Sequence, residues 1–201
     1  MKPVQVKIGL VVLLALPAVN LLWQVSQALQ GQLHSLGPDP GKQILLELGQ
    51  WALWLLLLVF SASPVRLWFG WRWLVVHRRL FGLAVFFYYG LHITAYVVFL
   101  LELHFSEIIE DVLERPYVTM GMMAATLLMP LALTSNNFST RRLGRNWKRL
   151  HGLIYPATLL VIVHIIWIAR SDLLEPLLYL LFVLVCFAGR SRRLLRVFKG
   201  P

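Results

Sequence analysis

Six long apolar segments divide this chain, and each approaches the length that is needed to cross a lipid bilayer. A helix needs about 20 apolar residues to span ~30 Å of hydrocarbon. The segments cover residues 8–29, 44–60, 80–101, 118–134, 150–169 and 173–188. Because backbone polar groups within hydrocarbon must pair with one another, each segment is expected to be helical. The sequence therefore predicts an all-α integral membrane bundle of six transmembrane helices, with residues 1–201 forming a single domain.

The composition excludes several other classes of protein. Hydrophobic residues make up 59% of the chain and charged residues 14%, whereas a soluble domain is about half apolar and a quarter charged. The net charge of +10 would indicate nucleic-acid binding on a soluble domain, but on this chain a membrane protein is the better interpretation. Cys186 is the single cysteine, so an intramolecular disulfide, an iron–sulfur cluster and a cysteine zinc site are excluded.

The distribution of charge predicts the orientation of the bundle. Sixteen of the nineteen basic residues fall on one side, and all nine acidic residues fall on the other with Lys42, Arg115 and Arg170. Basic connections stay in the cytoplasm, so both termini are predicted to be cytoplasmic. The basic C-terminal tail is expected to meet anionic lipid head groups rather than nucleic acid. The sixteen residues are Lys2, Lys7, Arg66, Arg72, Arg78, Arg79, Arg141, Arg142, Arg145, Lys148, Arg149, Arg190, Arg192, Arg193, Arg196 and Lys199.

Histidine is the ionisable residue that lies deep in the apolar segments, since Glu47 and Glu175 lie near the ends of theirs. None of them has an aspartate or glutamate in its interior, where ion-coupled transporters usually place one. His92 lies inside the third segment, His151 opens the fifth, and His164 lies deep within it. His77 precedes the third segment at its cytoplasmic end. A histidine in a membrane helix can simply bond a neighbouring helix, or it can bind a metal.

The depths of the histidines bring the second interpretation level with the first. His92 follows Arg79 by thirteen residues, and His164 follows Arg149 by fifteen. At ~1.5 Å per residue the two lie within ~3 Å of one depth, with His151 about 20 Å below His164. Facing imidazoles on two helices suit a six-coordinate haem iron. On an ideal helix His151 and His164 differ by ~140° in azimuth, so they do not lie on one face of the helix. Two sites at different depths can nevertheless use both histidines.

The chain also resembles a known family. "RRLFGLAVFFYYGLHITAY" and "LHGLIYPATLLVIVH" are similar to the ferric-reductase-type transmembrane domain, the membrane half of the NADPH oxidases. The stretches "GPDPGK", "ERPYVTMG", "LTSN" and "RRLGRNWKRLH" resemble, in the same order, the haem-binding membrane subunits of the bacterial periplasmic methionine sulfoxide reductase system. The resemblance covers nearly the whole chain, and the combination of motifs is specific.

The resemblance implies a b-type cytochrome of the bacterial inner membrane, with one or two haems and with FMN also reported for the family. Its ligand histidines carry over to His92, His151 and His164. They do not carry over to His77, although depth alone would allow His77 and His151 to hold a second haem. The subunit would pass electrons to a periplasmic molybdopterin enzyme that reduces methionine sulfoxide in proteins.

The cytoplasmic arginines have two interpretations. Arg78, Arg79 and Arg149 can pair with haem propionates or a flavin phosphate, or they can act only as topology signals.

The electron donor stays open between a quinol and a separate cytoplasmic flavin reductase. No glycine-rich dinucleotide fingerprint occurs in the chain, so we expect that it does not draw hydride from NADPH by itself. Two other functions also stay open. One is a quinol-linked cytochrome b with another acceptor, and the other is a small transporter or scaffold with incidental histidines. A haem absorption spectrum of the purified protein distinguishes the last of these from the cytochromes.

The orientation can be tested with reporter fusions. The test uses a reporter that is active only when it folds in the cytoplasm. The split of basic from acidic residues predicts that this reporter is active when it is fused after Pro201. The same reporter inserted between Glu107 and Glu114 should show the opposite behaviour. Inactivity of the C-terminal fusion would reverse the topology and the direction of electron flow.

Overall fold

The computed structural model describes residues 3–31 and 36–198, and every regular element in these ranges is helical. Lys2 and Lys199, two of the basic residues used to predict the orientation, lie outside them. The helices are α1 Pro3–Leu29, α2 Pro40–Phe69, α3 Trp73–Ala95, α4 Glu107–Glu114, α5 Pro116–Leu133, α6 Asn137–Leu143, α7 Arg145–Leu150, α8 Ile154–Ala169 and α9 Leu174–Phe198. A π-helical turn, Tyr96–Leu100, continues α3, and a 3₁₀ turn, His151–Leu153, joins α7 to α8.

The all-helical prediction is confirmed. Within the described ranges, five helical stretches are long and apolar enough to cross a membrane. They are Val4–Leu29, Pro40–Phe69, Trp73–Leu100, Pro116–Leu133 and Arg145–Ala169. The sixth predicted span coincides with the first part of α9, and its membrane crossing stays a prediction, as does the cytoplasmic location of the termini.

The predicted boundaries of the second and third segments were too narrow. The structure places Arg66 in α2 and Arg78 and Arg79 in α3, so that only Arg72 of these four lies between the helices. The predicted segments ended where charged residues begin. The helical backbone continues past these residues, since arginine stems can cover apolar surface while the guanidinium groups reach the interface. Gly70, with φ +72°, ends α2, since glycine adopts this conformation without steric cost.

The connections contain short helices that the search for long apolar segments did not indicate. Asn136 caps α6 by accepting a hydrogen bond from the backbone N–H of Ser139 at 2.7 Å. Pro116 begins α5, a position where its missing N–H is no loss. These signals are local capping chemistry and are therefore independent of hydropathy.

The structure divides into two compact units. The first comprises Met1–Trp54 and Ala84–Ile108. Within it, the Tyr88 hydroxyl donates to the carbonyl of Leu14 at 2.7 Å and accepts from the N–H of Ala18 at 3.2 Å. These two groups are normally paired in a helix, and α1 contains Pro17 between them. The Tyr88 hydroxyl therefore bridges the backbone where proline disturbs α1.

The second unit comprises Leu55–Leu83 and Ile109–Pro201. Helix α5 packs along α8, and α8 also packs on α9. Small residues are buried on both α5 and α8, among them Ala124 on α5 and Ala157 and Thr158 on α8. Small residues let membrane helices approach closely, because packing rather than hydrophobicity holds them together in lipid. This close approach brings α5 against the deep histidine of α8.

Tyr88→Phe should destabilise the protein by about 1–3 kcal/mol, because it leaves a carbonyl and an N–H of α1 without their bridging partner. The ring itself is 1% exposed and its packing is retained in the variant. Thermal unfolding in detergent measures the loss, with Tyr89→Phe as the matched control one residue along α3. Equal stability of the two variants would contradict the bridging role.

Candidate functional site

His92 of the first unit is held by the backbone of α2. Its Nδ1 atom lies 2.9 Å from the carbonyl oxygen of Leu45. The imidazole rests directly on Gly49, where a Cβ would lie 2.9 Å from Nδ1 and from Cε1. His92 thus occupies a notch that is open only because residue 49 has no side chain.

His164 of the second unit is held in the same manner by α5. Its Nδ1 lies 2.6 Å from the carbonyl oxygen of Tyr117. A Cβ on Gly121 would lie 2.9 Å from Cε1 and 3.0 Å from Nδ1 of the ring. In both units the carbonyl belongs to the residue four positions before the glycine. Each deep histidine therefore lies in a seat, by which we mean one helix carbonyl and the glycine four residues after it. The seat of His92 is formed by Leu45 and Gly49, and that of His164 by Tyr117 and Gly121.

This arrangement determines which nitrogen of each ring can bind a metal. A carbonyl oxygen only accepts hydrogen bonds, so Nδ1 of each ring must carry the proton. In the neutral tautomer the lone pair then lies on Nε2. Metal-bound histidines commonly donate their other N–H to a carbonyl, which fixes the ring orientation and makes the ligating nitrogen more basic. His92 and His164 thus present the ring chemistry of a prepared metal ligand.

His151 is placed by its own helical segment instead. Its Nδ1 lies 3.1 Å from the carbonyl oxygen of Trp147, and its ring stacks on the Trp147 indole with centroids 3.8 Å apart. The Trp147 indole N–H donates to the carbonyl of Thr134 at 3.0 Å. The Ser135 hydroxyl lies 3.5 Å from Nε2 of His151. His151 therefore has the same ring polarity as the deep histidines, but with a hydroxyl beside its second nitrogen.

The 3₁₀ turn changes the relation between His151 and His164. It spans His151–Leu153, and each 3₁₀ residue advances ~120° rather than ~100°. Three such steps reduce the azimuthal difference from ~140° to about 80°. The turn thus brings the two imidazoles closer to one side of the helical segment without aligning them.

The remaining predicted site residues lie near the predicted cytoplasmic ends of the helices of the second unit. The His77 Nδ1 is 3.0 Å from the carbonyl oxygen of Trp73, and the two rings are 4.9 Å apart, a local pattern similar to Trp147 and His151. Arg79 donates to the Asn137 side chain at 2.8 Å. Arg149 is exposed on α7.

One basic residue that sequence analysis did not single out joins this group. The Arg190 guanidinium lies over the Tyr155 ring at 5.1 Å, and Arg78 interacts electrostatically with both Arg190 and His151. Hydropathy places Arg190 after the last apolar segment and gives no sign that it returns to the group around His151.

The structure places the predicted ligands in two groups. His92 belongs to the first unit, whereas His77, His151 and His164 belong to the second. Among residues 3–31 and 36–198, no three side chains of histidine, cysteine, aspartate or glutamate lie close enough together to hold a bare metal ion. A haem iron requires only axial ligands from the protein, because the porphyrin supplies the other four. The donor set therefore fits a haem.

Sequence analysis missed Gly49 and Gly121 as part of these seats. A glycine inside a long apolar helix is the available signal, since it usually has a packing or functional reason. The signal does not indicate which ring the glycine meets.

Comparisons with known proteins show the family of the chain. Residues 48–162 match the model of the family described as ferric reductase like transmembrane component. The matched stretch includes His92 and His151 and ends two residues before His164. No solved structure matches the chain.

Curated relatives cover most of the chain. One, from Xanthomonas euvesicatoria pv. vesicatoria (strain 85-10), is described as protein-methionine-sulfoxide reductase heme-binding subunit MsrQ and is 44% identical over 163 residues, which are 81% of this chain and 75% of the relative. Another with the same description, from Xanthomonas oryzae pv. oryzae (strain MAFF 311018), is 42% identical over 175 residues, 87% of this chain and 80% of the relative. The apolar helices and these similarities identify a multi-pass protein of the bacterial inner membrane. The chain belongs to the ferric-reductase-like transmembrane family, together with the MsrQ proteins.

Proposed function

We propose that this chain is the haem-binding membrane subunit of a methionine sulfoxide reductase system. In this proposal residues 1–201 act as one haem-binding domain that carries electrons outward across the inner membrane. The relatives are named as haem-binding subunits of such a system. A periplasmic molybdopterin enzyme would receive the electrons and reduce methionine sulfoxide in oxidised proteins.

The matching seats of His92 and His164 carry this proposal. Each imidazole is oriented by a carbonyl from another helix, at 2.9 Å for His92 and 2.6 Å for His164, which makes Nε2 the nitrogen that would bind a metal. The glycine beneath each ring lets the imidazole lie in one fixed orientation against the neighbouring helix, as a metal ligand requires. We therefore assign both residues as axial haem ligands. Their pairing on one outer haem stays a prediction from their equal depth.

A haem b at these histidines would supply a one-electron ferric–ferrous couple within the bilayer. The chain's own residues hold and orient the ligands. The carbonyls of Leu45 and Tyr117 accept from Nδ1 of the two rings, which leaves Nε2 as the nitrogen that would bind the iron. Apolar neighbours on the helices exclude water, which raises the cost of any unpaired charge.

We assign His151 to an inner ligand position, in agreement with the sequence-based expectation. Its ring is held rigidly by the Trp147 indole and carbonyl. The Ser135 hydroxyl, 3.5 Å from Nε2, gives its single proton to the carbonyl of Leu131 at 2.6 Å, so it stays satisfied when Nε2 binds a metal. A second haem at His151, with His77 as its partner, stays an expectation from depth.

Arg78, Arg79 and Arg149 are proposed to neutralise haem propionates or the phosphate of FMN. Guanidinium groups bind such anions through charge-assisted hydrogen bonds. Arg78 has the like-charged Arg190 as a neighbour, so an anion bound between them would neutralise both. A quinol or a cytoplasmic flavin reductase would supply electrons on this side of the membrane.

The proposed periplasmic partner would dock on the acidic outer side. Glu110 and Glu114 on α4 are exposed, whereas Asp111 is buried and paired with Arg115 at 2.8 Å. Exposed carboxylates speed the encounter with a basic partner more than they tighten the complex. Asp111 is thus expected to stabilise α4 rather than to contact the partner.

Replacing either deep histidine should remove haem from the protein. His92→Ala and His164→Ala each delete an axial ligand. Changes at the residues that merely support a ligand usually lower metal affinity about 10–100-fold. We therefore expect the haem content per polypeptide after purification to fall at least about tenfold. His104→Ala, in the connection before α4, is the matched control and should retain haem. Full haem retention in both deep variants would refute the ligand assignment.

Electron transfer to the partner should be measurable with purified components. The reduced protein is mixed with the periplasmic molybdopterin reductase and a peptide that contains methionine sulfoxide. Haem reoxidation should require both and should slow as salt screens the acidic surface. Glu110→Gln/Glu114→Gln should reduce the salt dependence while haem content stays unchanged. Reoxidation by the peptide alone would contradict the division of function between the two proteins.

A further inference from the structure

Two glycines meet the two deep histidines at the same position relative to the accepting carbonyl. Leu45 accepts from His92 and Gly49 lies under the ring, whereas Tyr117 accepts from His164 and Gly121 lies under the ring. The spacing is four residues in both cases. The pairs lie on different helices and in different units, so one packing accident does not explain both.

Helix geometry explains the four-residue spacing. Each Cα–Cβ bond in an α-helix is tilted toward the N-terminus, so the side chain at position i+4 covers the carbonyl of residue i. That carbonyl already accepts the N–H of residue i+4, but it has a second lone pair. An imidazole reaches the second lone pair from the side only if residue i+4 lacks a Cβ.

We propose that Gly49 and Gly121 are positioning residues that open one helix carbonyl each to the haem-ligand histidines and thereby direct Nε2 toward the iron. This role rests on the proposed haem function. Glycine is less favourable than alanine in the interior of a helix, and the atoms that a Cβ at either position would meet first belong to the imidazole. They touch the ligand rings and not the iron, so their influence on the metal passes through the imidazoles.

Addition of one methyl group tests this role. A Cβ at either position would lie 2.9 Å from the ring, which is closer than van der Waals contact. The imidazole turns on two bonds whereas the helix backbone is fixed, so the ring should move and lose its carbonyl. We therefore expect Gly49→Ala and Gly121→Ala to accumulate in the membrane at the wild-type level but to bind haem about 10–100-fold more weakly, as disturbed ligand-supporting residues usually do.

Two other helical glycines provide matched controls. A Cβ on Gly9 of α1 or on Gly82 of α3 meets nothing within 4 Å, so Gly9→Ala and Gly82→Ala should retain the haem affinity and spectra of the wild type. The experiment uses the full chain in detergent with added haem. It records haem affinity, the electron paramagnetic resonance signals of the ferric haem and its midpoint potential. In the two test variants the low-spin signals should shift or give way to high-spin signals.

The outcomes separate this inference from the proposed function. A wild-type protein that binds no haem would overturn the proposed function and this role with it. A wild-type protein that binds haem, with unchanged affinity and spectra in both test variants, would overturn the role of the glycines alone. Failure of the test variants to accumulate, while the controls do, would also overturn it, because helix packing and not the ring would then have met the methyl group.

Discussion

An imidazole N–H that is placed in hydrocarbon needs an acceptor, and the structure around both deep histidines meets this need. Helix carbonyls are the main acceptors there, and each is already bonded within its own helix. His92 and His164 reach the second lone pairs of Leu45 and Tyr117 over glycines. The position of α8 on α5 and the small residues of these helices are consistent with this contact. The ring orientation follows from it, and so does the choice of Nε2 as the metal-binding atom.

The same solution appears at two other polar side chains of the apolar helices. Tyr88 bridges the carbonyl of Leu14 and the N–H of Ala18 beside Pro17. The Thr158 hydroxyl returns to the carbonyl of Ile154 at 2.7 Å and is fully buried. Both side chains thus take backbone groups as their partners. The histidines differ because imidazole has a second ring nitrogen, which can bind a metal.

Much of this architecture can be predicted from the sequence. Hydropathy located the apolar helices, and the absence of internal carboxylates directed attention to His92, His151 and His164. The motif "RRLGRNWKRLH" and its companions indicated the family, which the comparisons confirm. Depth along a straight helix could be counted in residues, because the helical rise is nearly constant.

Other features depend on which helices pack together, and no local pattern in the sequence determines that. Gly121 becomes important only because α5 lies against α8 at His164. The 3₁₀ turn at His151 alters the azimuth that an ideal helix would give. Arg66, Arg78 and Arg79 were placed in a connection because their charge ends an apolar segment, although the backbone hydrogen bonds of α2 and α3 continue through them.

The central claim is that the deep histidines are oriented axial ligands of a haem within the bilayer. The most direct measurement is the electron paramagnetic resonance spectrum of the oxidised wild-type protein, purified from cells that are supplied with haem. The account predicts a low-spin ferric signal of an iron with two imidazole ligands. A colourless protein, or one with only a high-spin signal, would contradict it.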